Sequence, residues 1–139
     1  MPRSRRIEVL YVEDSAGDVL LTQQILGEFL QPVKLSVARD GQQALTMLAD
    51  ERFQPAMIIL DLSLPDISGY EVLKRNPRKD IPVVIFSASQ NPSDVAQTLS
   101  LGAKEYVHKP MDMAGYRNAV LGMVRNWAMP EDTSGAVPT

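Results

Sequence analysis

The stretch Met57-Ile58-Ile59-Leu60-Asp61-Leu62-Ser63-Leu64-Pro65 decides how this chain folds. Four apolar residues in succession, with no polar alternation, predict a short strand buried on both faces, as in the middle of a parallel sheet. The run ends in a carboxylate, and Leu62 to Pro65 turn the chain at once. In an open α/β sheet the carboxyl ends of the strands face the crevice where ligands bind. Asp61 is therefore the candidate chemical centre.

Working outward, Ile7 to Val12 is a mostly apolar strand running straight into Glu13-Asp14. Ser15 predicts a helix N-cap, with Asp18 at the capping-box position, and the helix reaches about Phe29 with Leu21, Ile25 and Phe29 on one face. Pro32 breaks it. Val33 to Ala38 alternates as a second strand, and Asp40, with Gln43 as reciprocal partner, caps a helix whose stripe is Ala44, Leu45 and Leu48. Beyond the central strand, Gly69 to Arg75 predicts a short helix that stops before Pro77. Ile81 to Phe86 is a second continuously apolar strand, with Pro82 tolerable only near its start. Pro92 to Leu101 predicts a helix with Gly102 just past its end. Lys104 to Val107 makes a fifth strand, and Asp112 to Trp127 a last helix striped by Tyr116, Val120, Met123 and Trp127.

Strand and helix alternate five times, the signature of a parallel sheet covered on both faces. Right-handed crossovers with one reversal give a flavodoxin-like (βα)5 three-layer sandwich of strand order 2-1-3-4-5. Residues 6–129 are expected to form one domain and residues 130–139 a disordered tail. With 139 residues, 45% of them apolar, one ordinary core is the expectation, and no repeat or second domain is evident. A net charge of −3 argues against a general nucleic-acid binder. The absence of cysteine excludes disulfides and thiolate chemistry, and the single histidine, His108, makes no multi-histidine metal site and is expected exposed. No signal peptide or membrane-length apolar run is visible, so a cytoplasmic protein is expected.

This topology delivers Glu13, Asp14, Asp61, Ser87 and Lys109 to one edge. Carboxylates gathered in one crevice repel one another unless a cation lies among them. Oxygen ligands without His or Cys suit Mg²⁺, with Asp14 and Asp61 as side-chain ligands and the Ser63 backbone carbonyl as a third. A carboxylate is also a nucleophile able to form an aspartyl phosphate. Lys109 would offer a point charge to one phosphoryl oxygen, and Ser87 a hydroxyl to another.

The set Glu13-Asp14-Ser15, Asp61 before Leu62 to Leu73, Ser87-Ala88 and Tyr106-Val107-His108-Lys109-Pro110 resembles the receiver domain of two-component response regulators, over about residues 6 to 128. The resemblance implies that Asp61 accepts a phosphoryl group from a phosphohistidine on a sensor histidine kinase or phosphotransfer protein. It also implies that Glu13 tunes the metal site, that Ser87 moves toward the phosphoryl group, and that Tyr106 turns inward behind it. The surface of the fourth helix, fifth strand and last helix would then change. By the same resemblance a cis bond is expected before Pro110, and Ser63 and Ser89 occupy positions that tune phosphoryl lifetime. Glu13 to Leu21 and Ser87 to Asp94 look most like small stand-alone receivers, some of which serve phytochrome-type kinases and some of which dimerise through the last-helix face. Ser87 replaces the commoner Thr, and the connection from Asn76 to Asp80 is short, which predicts a truncated third helix.

Other readings stand beside this one. A lone acidic residue at a strand end is more often a cap or a solvated loop group, the role expected of Asp18, Asp40 and Asp66. An Asp-nucleophile phosphohydrolase would carry a second Asp where Ser63 stands. A flavin carrier would need a phosphate loop where Glu13 and Asp14 lie. A binding-only pseudo-receiver would lack phosphorylation altogether. Met111, Met113, Met123 and Met129 cluster near the last helix and suggest an adaptable face for self-association or a partner.

Overall fold

The structure is a computed structural model that describes residues 7–129; the tail expected over 130–139 lies outside the described residues. Five strands and five helices alternate: β1 (Ile7–Val12), α1 (Ala16–Leu26), β2 (Val33–Ala38), α2 (Gly41–Ala49), β3 (Met57–Leu60), α3 (Gly69–Arg75), β4 (Val83–Ser87), α4 (Pro92–Ser100), β5 (Glu105–His108) and α5 (Met113–Trp127). All pairings are parallel, in the order β2-β1-β3-β4-β5. This is the expected fold class.

The uninterrupted apolar run of β3 is explained by its two covered faces. Met57 and Ile59 join Val9, Tyr11, Val84 and Phe86 in a core closed by Ile25 and Leu26 of α1 and by Tyr116, Val120, Met123 and Val124 of α5. Ile58 and Leu60 point the other way, into a core with Leu10, Val12 and Ile85 that α2 and α3 close through Ala44, Leu45, Leu48, Val72 and Leu73. Period-two alternation within each strand thus sorts one sequence onto two cores. The fourth helix is anchored differently: among its residues only Thr98 is fully buried.

Cap chemistry sets most helix boundaries. Ser15 Oγ accepts the Asp18 N–H at 3.2 Å, as a cap should, but Glu13 Oε2 rather than Asp18 takes the reciprocal Ser15 N–H at 3.2 Å. The first helix ends at Leu26, with Gly27 as C-cap, so Phe29 lies beyond it yet still packs on the α1–α5 core. Asp40 caps α2 through the Gln43 N–H at 2.7 Å, while the Gln43 side chain reaches past it to the Arg39 N–H. Asp66 also caps α2, accepting the Gly41 and Gln42 N–H groups at 2.8 and 2.9 Å. A turn residue after β3 therefore stitches the loop there to α2. The short α3 is closed by Lys79, whose ammonium donates to the carbonyls of Leu73 and Lys74 at 3.1 Å each.

Three expectations need correction. The fourth strand starts at Val83 rather than Ile81, because Pro82 has no N–H for the ladder and contributes only its carbonyl, which accepts from Ile58 at 2.9 Å. The fifth runs Glu105–His108, one residue later than read, and His108 is half-buried within it rather than exposed. Among the described residues every peptide bond is trans, the one before Pro110 included. Trans is the lower-energy isomer of an X–Pro bond by about 0.5–1 kcal/mol. Here it already lets the Lys109 N–H reach the Ser87 carbonyl at 2.7 Å and Asp112 cap α5.

Gly69 shows how tightly α3 abuts the end of β3. A Cβ at this position would stand 2.6 Å from the Asp61 carbonyl oxygen and 2.7 Å from Leu62 Cα, both backbone atoms that cannot swing aside. Gly69→Ala should therefore lower unfolding stability by about 1–3 kcal/mol in urea titration. An unchanged midpoint would show that α3 is free to slide.

Candidate functional site

β1, β3 and β4 each end where an apolar run ends, which places the first polar residue at the rim of the sheet. Glu13 follows β1, Asp61 follows β3, Ser87 closes β4 and Lys109 follows β5. Glu13, Asp61 and Ser87 are buried, at 2%, 7% and 2% exposure, so their polar atoms depend on protein partners. Lys109 supplies the main one. Its ammonium lies 2.6 Å from Glu13 Oε1, 2.8 Å from Asp18 Oδ2 and 3.4 Å from Asp61 Oδ2. The ring of Phe86 lies beneath it at 5.7 Å. Asp61 accepts the Ser63 N–H on its other oxygen at 3.1 Å, which turns the carboxylate toward the loop after β3.

Behind Glu13 a chain of hydroxyls runs into the core. Tyr11 donates to Glu13 Oε1 at 3.2 Å and stands 3.3 Å from the Tyr116 hydroxyl, itself 3.0 Å from Thr22. Burial and the Glu13 charge hold the Tyr11 hydroxyl far above its ordinary range, so it stays a donor.

One oxygen from each of Glu13, Asp14 and Asp61 lies within 4.8 Å of the other two. Glu13, Asp18 and Asp61 share the Lys109 ammonium and Asp14 lies beside them, so the crevice carries more carboxylates than cations among the described residues. An all-oxygen set of this charge, with Asp14 exposed to solvent, fits a hard divalent cation that keeps part of its water. Burial, helped by the Asp61 charge, pushes the Glu13 carboxyl up to about 7 despite the pull of Lys109. Burial alone would lower Lys109, but the bonds to Asp18 and Glu13 outweigh it and hold the ammonium above its ordinary range.

The response regulator receiver domain model matches residues 9–121. The chain belongs to the response regulator receiver family. This receiver is 34% identical over 128 residues to the response regulator Rcp1 of Synechocystis, covering 86% of this chain and 87% of that one. A solved Mn²⁺-bound Rcp1 superposes with TM-score 0.80 at 32% identity, over 96% and 99% of the two chains. The phosphorylated cyanobacterial phytochrome response regulator RcpA superposes with TM-score 0.82 at 31% identity, over 88% and 94%. A probable cyclic di-GMP phosphodiesterase of Vibrio cholerae is 32% identical, but the match spans 26% of its length. For a protein-glutamate methylesterase of Trichodesmium erythraeum the match spans 37%. Acceptance of a phosphoryl group on an aspartate is the function of this family, and an acidic site binding Mg²⁺ or Mn²⁺ belongs to it.

The receiver's edge brings together Glu13, Asp14, Asp61 and Lys109, as expected. Ser87 turns its Oγ to the Ser89 N–H at 3.2 Å, and Tyr106 is half-buried with its hydroxyl on the Ser89 carbonyl at 2.9 Å. Two residues do more than the sequence expects of them. Asp18, expected as a capping residue, pairs with Lys109, because the first turn of α1 points it across the crevice to the end of β5. Asp94, in the motif after Ser87, accepts hydroxyl bonds from both Tyr70 and Ser89. Asp18 lies 91 residues from Lys109 and Asp94 lies 24 from Tyr70, so these contacts exist only once the sheet has closed.

A pH dependence follows from Glu13. Its folded-state pKa lies above its ordinary value of 4.5, so between about 4.5 and about 7 the native protein binds more protons than the unfolded chain. Metal-free protein should therefore lose thermal stability as pH rises through this window, and Glu13→Gln should flatten the slope. A parental melting temperature that climbs across the window would contradict the assignment.

Proposed function

We infer that Asp61 is the phosphoacceptor of this receiver, with residues 6–129 forming the switch. The observation that carries the reading is the Lys109 ammonium held against Asp61 and Glu13 inside a buried acidic crevice. An Asp61 oxygen attacks the phosphorus of a phosphohistidine on a sensor histidine kinase or phosphotransfer protein. The P–O bond forms as the P–N bond breaks, and the imidazole nitrogen leaves with the electron pair. Lys109 exchanges one carboxylate contact for a phosphoryl oxygen, and Ser87 turns its hydroxyl to another. Glu13 keeps Tyr11 and the Ser15 N–H when Lys109 moves, so its charge is not stranded. Mg²⁺, held by Asp14, Asp61, the Ser63 backbone carbonyl and, directly or through water, Glu13, would neutralise the transferring group when bound. Tyr106 is the second switch residue, and the chain signals through protein contacts rather than by turning over a substrate of its own.

The docking side for the kinase is the rim beside Lys109, where the exposed side chains of Met111 and Met113 adjoin Leu21 across the groove between α1 and α5. Kinship with RcpA favours a phytochrome-type kinase as the donor. Kinship with small stand-alone receivers favours a homodimer through the α4–β5–α5 face, and a cytoplasmic site of action fits the absence, among the described residues, of a helix able to cross a membrane.

Intact-protein mass after incubation with a small phosphodonor and Mg²⁺ tests the chemistry. A metal-dependent, base-labile phosphate adduct is expected on the parent and absent from Asp61→Asn. Lys109→Arg keeps the charge and the fold but should label about 100-fold more slowly, because the guanidinium cannot occupy the ammonium's place. Persistent labelling of Asp61→Asn would move the acceptor elsewhere. Light scattering that finds a monomer at high concentration would remove the dimer.

A further inference from the structure

Ser89 lies two residues beyond Ser87, and every polar group of Ser89 is engaged. Its N–H donates to Ser87 Oγ at 3.2 Å, its carbonyl accepts from the Tyr106 hydroxyl at 2.9 Å, and its own hydroxyl donates to Asp94 Oδ2 at 2.6 Å. The same hydroxyl oxygen accepts the Asn91 N–H at 3.2 Å. Asp94, in the first turn of α4, receives the Tyr70 hydroxyl on its other oxygen. Tyr70 is the second residue of α3, directly after Gly69, whose N–H is bonded to the Leu62 carbonyl at 3.0 Å. An unbroken path therefore runs from the loop behind Asp61, through Tyr70, Asp94 and Ser89, to both Ser87 and Tyr106.

This path matters because α4 has little else to hold it. Thr98 is its one fully buried residue, whereas each of the other helices buries at least three. A helix with so little apolar anchoring moves at small cost unless polar contacts locate it. Hydrogen bonds to an ionised carboxylate are about twice as strong as neutral ones, and Asp94 carries two. The bonds from Ser89 and Tyr70 hold the Asp94 carboxyl below its usual range. Burial and the bond to Asp94 push the Tyr70 hydroxyl up to about 12, which keeps it a donor at neutral pH.

We propose that Asp94 is a positioning residue for the switch: clasped by the hydroxyls of Tyr70 and Ser89, it docks the start of α4 on α3 and so keeps Tyr106 turned inward before any phosphoryl group arrives. The clasp lowers the reorganisation needed at Ser87 and Tyr106 when Asp61 reacts. This consequence rests on Asp61 being the acceptor, but the clasp itself is a property of the unphosphorylated protein.

Fluorine NMR of fluorotyrosine-labelled, unphosphorylated full chain reads the clasp directly, with the Tyr106 signal assigned by Tyr106→Phe. One inward position is expected in the parent. Tyr70→Phe should raise the population of a second Tyr106 position by about tenfold, the effect of one hydrogen bond to a charged group, and Asp94→Ala, which removes two, should raise it further. Ser89→Ala, the mildest change, should do the same as Tyr70→Phe while far-UV circular dichroism stays native. Combining Asp94→Ala with Tyr70→Phe should add nothing to Asp94→Ala alone, since both remove one shared contact. Labelling of Asp61 by a small phosphodonor should slow by a similar factor in each variant. An unmoved Tyr106 signal in folded variants, or additive effects in the double variant, would overturn the clasp. Failure of the parent itself to label would instead overturn the phosphoacceptor reading and leave the fluorine result standing.

Discussion

One ammonium group holds the active edge together. Lys109 is mostly shielded from water, and an ion removed from water is costly unless it is fully paired. Its partners come from the ends of β1 and β3 and from the first turn of α1, so the charge is satisfied only when these elements are in register. The converse also holds: without the lysine the buried Glu13 and Asp61 would keep neutral hydrogen-bond donors but lose the cation that they share. The bond from the Lys109 N–H to the Ser87 carbonyl fixes the same residue to β4, so side chain and backbone agree on one position. A site assembled in this way resists loosening because each group is a condition for burying the others.

The two cores serve different purposes around this edge. The α1–α5 core packs Phe86 against Tyr116 at a centroid distance of 5.2 Å and carries the hydroxyl chain that backs Glu13. It is one continuous cluster, as a platform for fixed carboxylates requires. The opposite core is well anchored by α2 and α3 but lightly covered over β4 and β5, where α4 lies. Tyr106 belongs to that lighter side, and its hydroxyl depends on a loop carbonyl rather than on packing alone. Rigidity near the acidic site and looseness near α4 are what a switch needs: chemistry at one end, a movable surface at the other.

Strand and helix periodicity, the caps at Ser15 and Asp40, and polar residues ending apolar runs were enough to read the fold and the set Glu13, Asp14, Asp61, Ser87 and Lys109 from the chain. These signals are local, or they follow from a topology with few alternatives. The misreadings have a common cause. Asp18 looks like any acidic residue in a first turn, since capping and long-range pairing use the same carboxylate. The position of Pro82 within the ladder and the trans bond before Pro110 depend on which neighbours form hydrogen bonds across the sheet.

The sequence by itself determined the alternation of elements, the doubly covered central strand, and the identity of the groups that the strand ends would deliver. Tertiary structure alone decided how those groups are partnered: that Lys109 spans Glu13, Asp18 and Asp61, and that Tyr70, Asp94 and Ser89 join α3 to α4. The physical reason is range. Backbone propensity and hydrophobic period act over a few residues and leave their mark in the order of the chain, whereas a hydrogen bond between residues far apart in sequence is chosen only when packing brings them within 3 Å or so.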